Sequence, residues 1–499
     1  MSIEDPRRAC SGTLPLSGRL EPWQTEVARR PDLLSGWIAE HGSPVNLLET
    51  EAMGRNADEL RAAASAHGID LRIFFARKAN KALAFVEAAR RLGLGVDLAS
   101  ERELEGALAA GMDPSDLVMT AAVKTTSLLR RCAETGTTVV VDNEDELQRL
   151  TGVVGSGEPV PIAPRIAPTP IDEALPTRFG MSPEAVIELA DRRWAVGEDT
   201  RISIAGIHFH LDGYDPDARV AAIEESLRLT EELRARGHDP GFIDIGGGVP
   251  MSYLDSGEQW DAFWSEHQRA LLGRRPEITY GGHGLGLIEH AGEIAGSPAV
   301  YPFHQELVRG QWLDRILGSP LQAWPGTTVG EAIVEAGLEL RCEPGRSLLD
   351  GCGMTVARVE FRKQRRDGTW LIGVAMNRTQ CRSTSEDFMV DPLLIRADPG
   401  SSEAGASGST GPIEAYLVGA YCVERELLTW RKLEFPEGVG VGDFIAFPNT
   451  AGYLMHILES SSHQIPLARN LVVDGENATL DDIDASTQPA AELISTPLP

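Results

Sequence analysis

Basic residues are scarce in this chain: 46 lysines and arginines stand against 74 aspartates and glutamates, a formal charge of -28 at pH 7. A field of that sign repels phosphate backbones and anionic bilayers, so neither nucleic acid nor a membrane surface is an expected partner. Cysteine is sparse too. Cys10, Cys132, Cys342, Cys352, Cys381 and Cys422 are scattered without paired metal spacing, which fits reduced thiols in a cytoplasm rather than a disulfide framework or a zinc site. No stretch reaches membrane-spanning length. Residues 1–20 carry Asp5, Pro6, Arg7 and Arg8 but no apolar core, so they read as neither signal peptide nor anchor. A glycine fingerprint is also missing after the first apolar strand, where Arg77-Lys78-Ala79-Asn80 stands instead. That disfavours a doubly wound dinucleotide-binding sheet.

What is present is a rhythm. A chain of 499 residues, 42% of them hydrophobic, can bury the cores of two or three domains. Leu71–Ala76 is too short and apolar for a helix, and Ala82, Leu83, Val86, Ala89 and Leu92 then recur at helical spacing. The alternation repeats, with strands expected at 71–76, 95–99, 116–120, 137–141, 160–165, 202–210, 242–245 and 338–343 and helices such as 101–110 and 218–236 between them. Eight such units predict a closed (β/α)8 TIM barrel. After Arg346 the runs become short and β-like, at 355–361, 369–375, 415–417, 444–447 and 453–458, which predicts a second, all-β domain. The expected division is a lead-in over 1–50 that joins the β domain, with a possible strand at 44–48 in otherwise irregular chain, and then the barrel over 51–355. A long insert at about 251–332 interrupts the barrel, and the β domain covers 356–475. Residues 397–411 are expected to form a mobile Gly/Ser-rich loop, and the acidic stretch from about 474, with a tail over 476–499, is expected to be disordered.

Residues with chemistry fall where barrel strands end: Lys78 after the first, Asp97 on the second, Arg165 on the fifth, His210 after the sixth, Gly246-Gly247-Gly248 after the seventh and Glu343-Pro344-Gly345-Arg346 after the eighth. Those ends share one rim. A glycine triplet exposes backbone N–H groups, and with Arg346 beside it forms a phosphate cradle. A lysine, a cradle, a carboxylate and a flat stacking residue match the needs of pyridoxal phosphate. Lys78 would form the Schiff base, Glu343 would keep a proton on the ring nitrogen and His210 would stack on the ring. Singly, each has a plainer reading: a surface lysine, a turn, a core histidine.

The segments Phe75-Ala76-Arg77-Lys78-Ala79-Asn80, Gly95-Val96-Asp97-Leu98-Ala99-Ser100, His208-Phe209-His210, Asp244-Ile245-Gly246-Gly247-Gly248 and Glu343-Pro344-Gly345-Arg346-Ser347 resemble, in the same order, those of the fold-type III pyridoxal-phosphate decarboxylases. These are the diaminopimelate, ornithine and arginine decarboxylase group, and the likeness spans about residues 43–472. It implies pyridoxal 5'-phosphate on Lys78, stacking by His210, a ring-nitrogen contact by Glu343, and phosphate binding by Gly246 to Gly248, Gly345 and Arg346. Tyr421-Cys422-Val423-Glu424 is similar to the family's segment whose cysteine enters the partner's site and reprotonates the product carbon. Asn449-Thr450-Ala451-Gly452-Tyr453 is similar to the motif whose tyrosine touches phosphate. The resemblance therefore implies a homodimer with shared sites.

Three departures bear on substrate. Leu211-Asp212-Gly213 replaces a phosphate-binding serine, Val423 stands where an acid often meets a distal amine, with Glu424 one place on, and Asp391-Pro392-Leu393-Leu394 stands where an arginine grips a distal carboxylate. Asp391 and Glu424 are therefore expected to face substrate, and free diaminopimelate is disfavoured. The expected substrate is a small-molecule amino acid, free or carrier-tethered, unlike free diaminopimelate and either larger or with a different distal group. A racemase or other lyase on the same cofactor remains open, as do a metal-dependent barrel hydrolase using His208 and His210, for which the sequence shows no further ligands, and a catalytically silent regulator. The insert, with Trp260, Trp264, Trp312, Trp324, Tyr280, Tyr301 and Phe303, is expected to cover or wall the site; its histidines, His283, His290 and His304, match no familiar metal spacing.

Overall fold

The computed structural model describes residues 5–155, 159–171, 175–193, 201–383, 387–397 and 411–485. Eight parallel strand positions close a ring: Leu71–Ala76, Gly95–Leu98, Leu117–Met119, Thr138–Val141, Val160–Ile166, a split sixth strand (Ile202–Ile204 and Ile207–Phe209), Phe242–Asp244 and Glu339–Cys342. The eighth pairs back onto the first, Leu340 opposite Leu71, which closes the barrel. The strands are buried on both faces because helices cover the outside, so they read as continuous apolar runs rather than alternating ones. The sixth strand breaks at Gly206, where a Cβ would lie 2.4 Å from the Phe242 ring.

Helices begin where short polar side chains can hold free amides. Ser100 accepts from the Glu103 amide at 3.2 Å and starts Glu101–Ala109; Thr125 starts Thr126–Thr135 in the same way, and Gly136 in the left-handed region ends it. Helix Leu83–Arg91 has no such residue of its own. Asp481 supplies the cap from the far end of the chain, accepting from the Leu83 and Ala84 amides at 3.0 and 2.9 Å.

The second sheet is built on the long strand Gly353–Gln364, which pairs with Trp370–Val374, Phe444–Pro448 and Val45–Leu48. Residues near both termini complete it, through Ser11–Gly12 against Leu433–Phe435 and Arg469–Asp474 against Val45–Leu48. Three expectations need correction. The first fifty residues are not irregular, since helices Pro22–Ala28 and Pro31–His41 pack Leu34, Trp37 and Ile38 onto the sheet. Residues 453–458 are not a strand: Tyr453 takes φ +70° and turns its amide onto Ala79 O at 2.8 Å. Order also continues past 474, through Asn477–Leu480 and Asp482–Ala485. The expected mobile loop lies outside the described residues except at Ala397 and Gly411, as does the tail beyond Ala485. Among the described residues no helix is long and apolar enough to cross a membrane.

The insert is two wedges. Met251, Tyr253, Phe263, Tyr301 and Phe303 share a core with Phe388, Leu417 and Phe447 of the β domain, whereas Trp312, Leu313 and Ile316 on helix Arg309–Leu317 pack into the barrel's outer layer. Only the hairpin Leu287–His290 and Glu293–Gly296 projects, with Ile288 65% exposed.

Candidate active site

Lys78 sits on a single 3-10 turn, Arg77–Ala79, directly after the first barrel strand, and its Nζ donates to Asp97 Oδ2 at 2.8 Å. The Thr120 hydroxyl donates to the other Asp97 oxygen, and the Arg165 guanidinium donates to Thr120 O while lying 3.4 Å from Asp142. Three strand ends thus fix one carboxylate under the lysine. Burial alone would drive the Lys78 ammonium toward neutrality, but the Asp97 carboxylate outweighs it, helped by Tyr453 and Glu343, and the amine is held above the usual lysine range. Burial would likewise raise Asp97; the Lys78 charge and the Lys78 and Thr120 hydrogen bonds hold it below the ordinary value.

Glu343 is buried, with Oε1 3.2 Å from His208 Nε2. Burial, with the Asp97 charge adding to it, pushes the Glu343 carboxyl up to about 8, and burial with the Glu343 charge takes Asp244 to about 7. His208 is driven down to about 3 by burial and is neutral. His208, Asp244 and Glu343 hold their ligand atoms within 4.8 Å of one another, so the count of further metal ligands made from the sequence is corrected. All three are buried at 2% exposure or less.

His210 packs edge-on against Phe179, ring centroids 5.7 Å apart, and burial with the Lys78 charge lowers it to about 3. A neutral imidazole can stack without adding charge. The triplet turns beside it. Gly246 and Gly248 take φ +67° and +76°, and a Cβ on Gly246 would meet Phe209 O at 2.6 Å, so side chains are excluded there. The Gly246 amide, expected to bind phosphate, is already spent on Asp244 Oδ1 at 2.9 Å. The amides of Gly247 and Gly248 have no acceptor among the described residues and remain for a ligand. Gly345 is tight for another reason: a Cβ would lie 2.7 Å from the Tyr453 hydroxyl. Arg346 completes this side, donating to the Tyr253 hydroxyl at 2.7 Å, with its guanidinium 3.8 Å from the Tyr301 ring and 5.1 Å from that of Tyr453. The insert therefore does reach the site, through Tyr253 and Tyr301. Tyr253 carried no signal in the sequence, because a lone tyrosine in a long insert is indistinguishable from a core residue. A cavity of about 600 Å³ opens beside His210, lined by Arg178, Phe179 and Asp212 among others.

Other expected site residues lie elsewhere. Asp391 is a correction: it is buried in an ion pair with Arg431 at 2.7 Å and accepts the Leu16 amide at 2.9 Å, so its carboxylate is not free for substrate. Cys422 is the one exposed cysteine among the described residues, and Glu424 is exposed beside it. Val423 and Glu424 line a cavity of about 480 Å³ with His283, Arg378, Arg382, Arg425 and Trp430, none of them from the barrel rim.

Comparison with known proteins agrees with this geometry. The family model described as pyridoxal-dependent decarboxylase, pyridoxal binding domain, matches residues 55–293. An uncharacterized protein of Sinorhizobium fredii, y4yA, is 32% identical over 446 residues, covering 89% of this chain and 90% of that protein. Diaminopimelate decarboxylase of Pseudomonas aeruginosa is 30% identical over 196 residues, covering 37% of this chain and 46% of that enzyme. Among solved structures, a diaminopimelate decarboxylase from M. jannaschii in complex with L-lysine overlays with a TM-score of 0.65 at 17% identity over 89% of this chain and 90% of that one. The lysine/ornithine decarboxylase of Vibrio vulnificus complexed with putrescine overlays at 0.59, with 17% identity, over 92% and 100%.

A barrel presenting a lysine, a glycine cradle and a buried carboxyl on one rim, with a β domain beside it, matches a pyridoxal-phosphate enzyme. The chain belongs to the fold-type III pyridoxal-phosphate-dependent decarboxylases, a family of amino-acid decarboxylases, and its cofactor is pyridoxal 5'-phosphate. The free amides of Gly247 and Gly248 and the excluded Cβ position at Gly246 fit that group.

Proposed function

We propose that this protein decarboxylates an amino acid other than free diaminopimelate, working as a homodimer whose two sites each borrow Cys422 of the partner subunit. The observation that carries the reading is the placement of Lys78, paired to Asp97 at 2.8 Å, on the rim that also holds Glu343, His210 and the free Gly247 and Gly248 amides. When bound, pyridoxal phosphate supplies an electron sink that accepts the pair left behind when the α-carboxylate departs as carbon dioxide. The chain's own groups do the rest. Lys78 supplies the anchoring amine, and Asp97 holds that amine in place. Glu343, raised to about 8, keeps a proton at its carboxyl for the ring nitrogen. His210 offers a neutral flat face, and Arg346 with the two amides offers donors to phosphate.

Exposure of Cys422 on a β-domain loop supports its use in trans, since a thiol exposed in one chain is available to another. Support for a substrate other than free diaminopimelate comes from Val423, which puts an apolar side chain where a distal amine would want a carboxylate. Asp391 no longer contributes to that argument. Borohydride reduction of the holoenzyme followed by peptide mapping tests the assignment, with the label expected on Lys78. A label on Lys124, which is buried and paired to Glu146 at 2.9 Å, or on Lys81, which is paired to Glu459, would overturn it.

A further inference from the structure

Leu211-Asp212-Gly213 stands where the family resemblance leads one to expect a phosphate-binding serine, and the structure puts an unexpected group directly behind that turn. Arg219, in the first turn of helix Pro216–Ala235, is completely buried. Its Nη2 donates to Leu211 O at 3.1 Å and to Gly213 O at 2.8 Å, while Nε and Nη1 are buried without a partner. The guanidinium lies against the glycine triplet: a Cβ on Gly248 would be 2.5 Å from Nη2. Trp312 closes the other side, its ring 5.8 Å from the guanidinium carbon.

Arg165, Arg309, Arg382 and Arg431 are buried too, and each has a carboxylate at 3.4, 2.6, 3.3 and 2.7 Å respectively. Arg77 is buried without one and donates to the Glu103 carbonyl instead. Arg219 bonds only to carbonyls and makes no ion pair among the described residues. Asp212 and Asp215 act on it only through space, and both are exposed. A guanidinium taken out of water without a counter-ion is costly, and nearby anionic charge relieves that cost. Beside it, the turn that presents the free Gly247 and Gly248 amides is prepared for an anion.

We propose that Arg219 is a positioning residue and buried counter-charge for the cofactor's phosphate: it clamps the 211–213 turn to the triplet and supplies from behind Gly248 the attraction that the missing hydroxyl does not. The clamp works by geometry. Drawing the Leu211 and Gly213 carbonyls inward onto one nitrogen fixes the loop that borders the cradle. The charge works by field, and in a buried setting it is little screened. This inference rests on the pyridoxal-phosphate reading of the site, and it assigns Arg219 no contact with the reacting atoms.

The test strips the cofactor from the full-length protein and titrates back pyridoxal phosphate and, separately, pyridoxal, which lacks only the phosphate. Arg219→Met and Arg219→Gln both remove the charge, and Gln keeps a donor for the clamp. In each, the preference for pyridoxal phosphate over pyridoxal is expected to fall at least tenfold while pyridoxal affinity stays within about threefold of the wild type. Arg219→Lys is expected to restore most of the preference. Inorganic phosphate should raise the melting temperature of the stripped wild-type protein and do so less in the neutral variants. An unchanged preference in either folded neutral variant, or an equal loss of both ligands, would overturn the proposal. A wild-type protein that gives no reducible adduct at Lys78 with either ligand would refute the cofactor reading itself.

Discussion

At the scale of single residues the site is a set of charges held away from their ordinary states, and pH exposes them. Folding raises Glu343 from 4.5 to about 8 and Asp244 from 3.8 to about 7, chiefly through burial. Over that range the folded protein binds more protons than the unfolded chain, so stability falls as pH rises. The contribution of the two carboxyls is fully present below about pH 4 and is lost as pH passes 7 to 8. Denaturant titrations of the cofactor-free protein should therefore show declining stability across this window, and Glu343→Gln should flatten part of the decline. A variant with the same slope as the wild type would mean that Glu343 is ionised throughout this window and that burial does not raise it.

At the scale of elements, the barrel strands and the positions of Lys78, Asp97, His210, Glu343 and Arg346 at or near their ends were legible because short apolar runs broken by charged or glycine residues mark where strands stop. Elements that depend on distant partners were not. Nothing local announces that Asp481 caps helix Leu83–Arg91, or that a turn at Tyr453 docks on Ala79 in place of a strand. Asp391 failed for the same reason: its partner, Arg431, is forty residues away, and only folding turns a substrate-facing acid into half of an ion pair. Arg219 was invisible because a helical arginine reads as solvent-exposed. The insert divides along similar lines. Leu287 and Gly296 face each other across the projecting hairpin, so replacing residues 288–295 with a short glycine-serine link should leave cofactor content and stability nearly unchanged. Phe303, fully buried between the insert and the β domain, should cost roughly 3–5 kcal/mol when cut to alanine in denaturant unfolding. Loss of turnover or selectivity in the hairpin deletion, with stability intact, would instead make the hairpin a wall for substrate.

At the scale of the whole molecule, each chain carries Lys78 and Cys422 in different surroundings, one on the barrel rim and one exposed on a β-domain loop. A homodimer that shares its sites predicts complementation. Lys78→Ala and Cys422→Ala proteins, each nearly inactive alone, should regain about a quarter of wild-type turnover when unfolded, mixed in equal amounts and refolded, because half the dimers are mixed and each of those has one intact site. No recovery, with each variant inactive alone, would mean that Cys422 does not act across a dimer interface. The central claim, loss of the α-carboxylate at the Lys78 site, is tested most directly by incubating the holoenzyme in deuterated water with a panel of amino acids and following carbon dioxide and the α-position together. The account predicts carbon dioxide in step with an amine carrying one deuterium at the former α-carbon, and neither with Lys78→Ala. Deuterium at the α-carbon of recovered amino acid without carbon dioxide would contradict it and show proton exchange, the chemistry of a racemase, in its place.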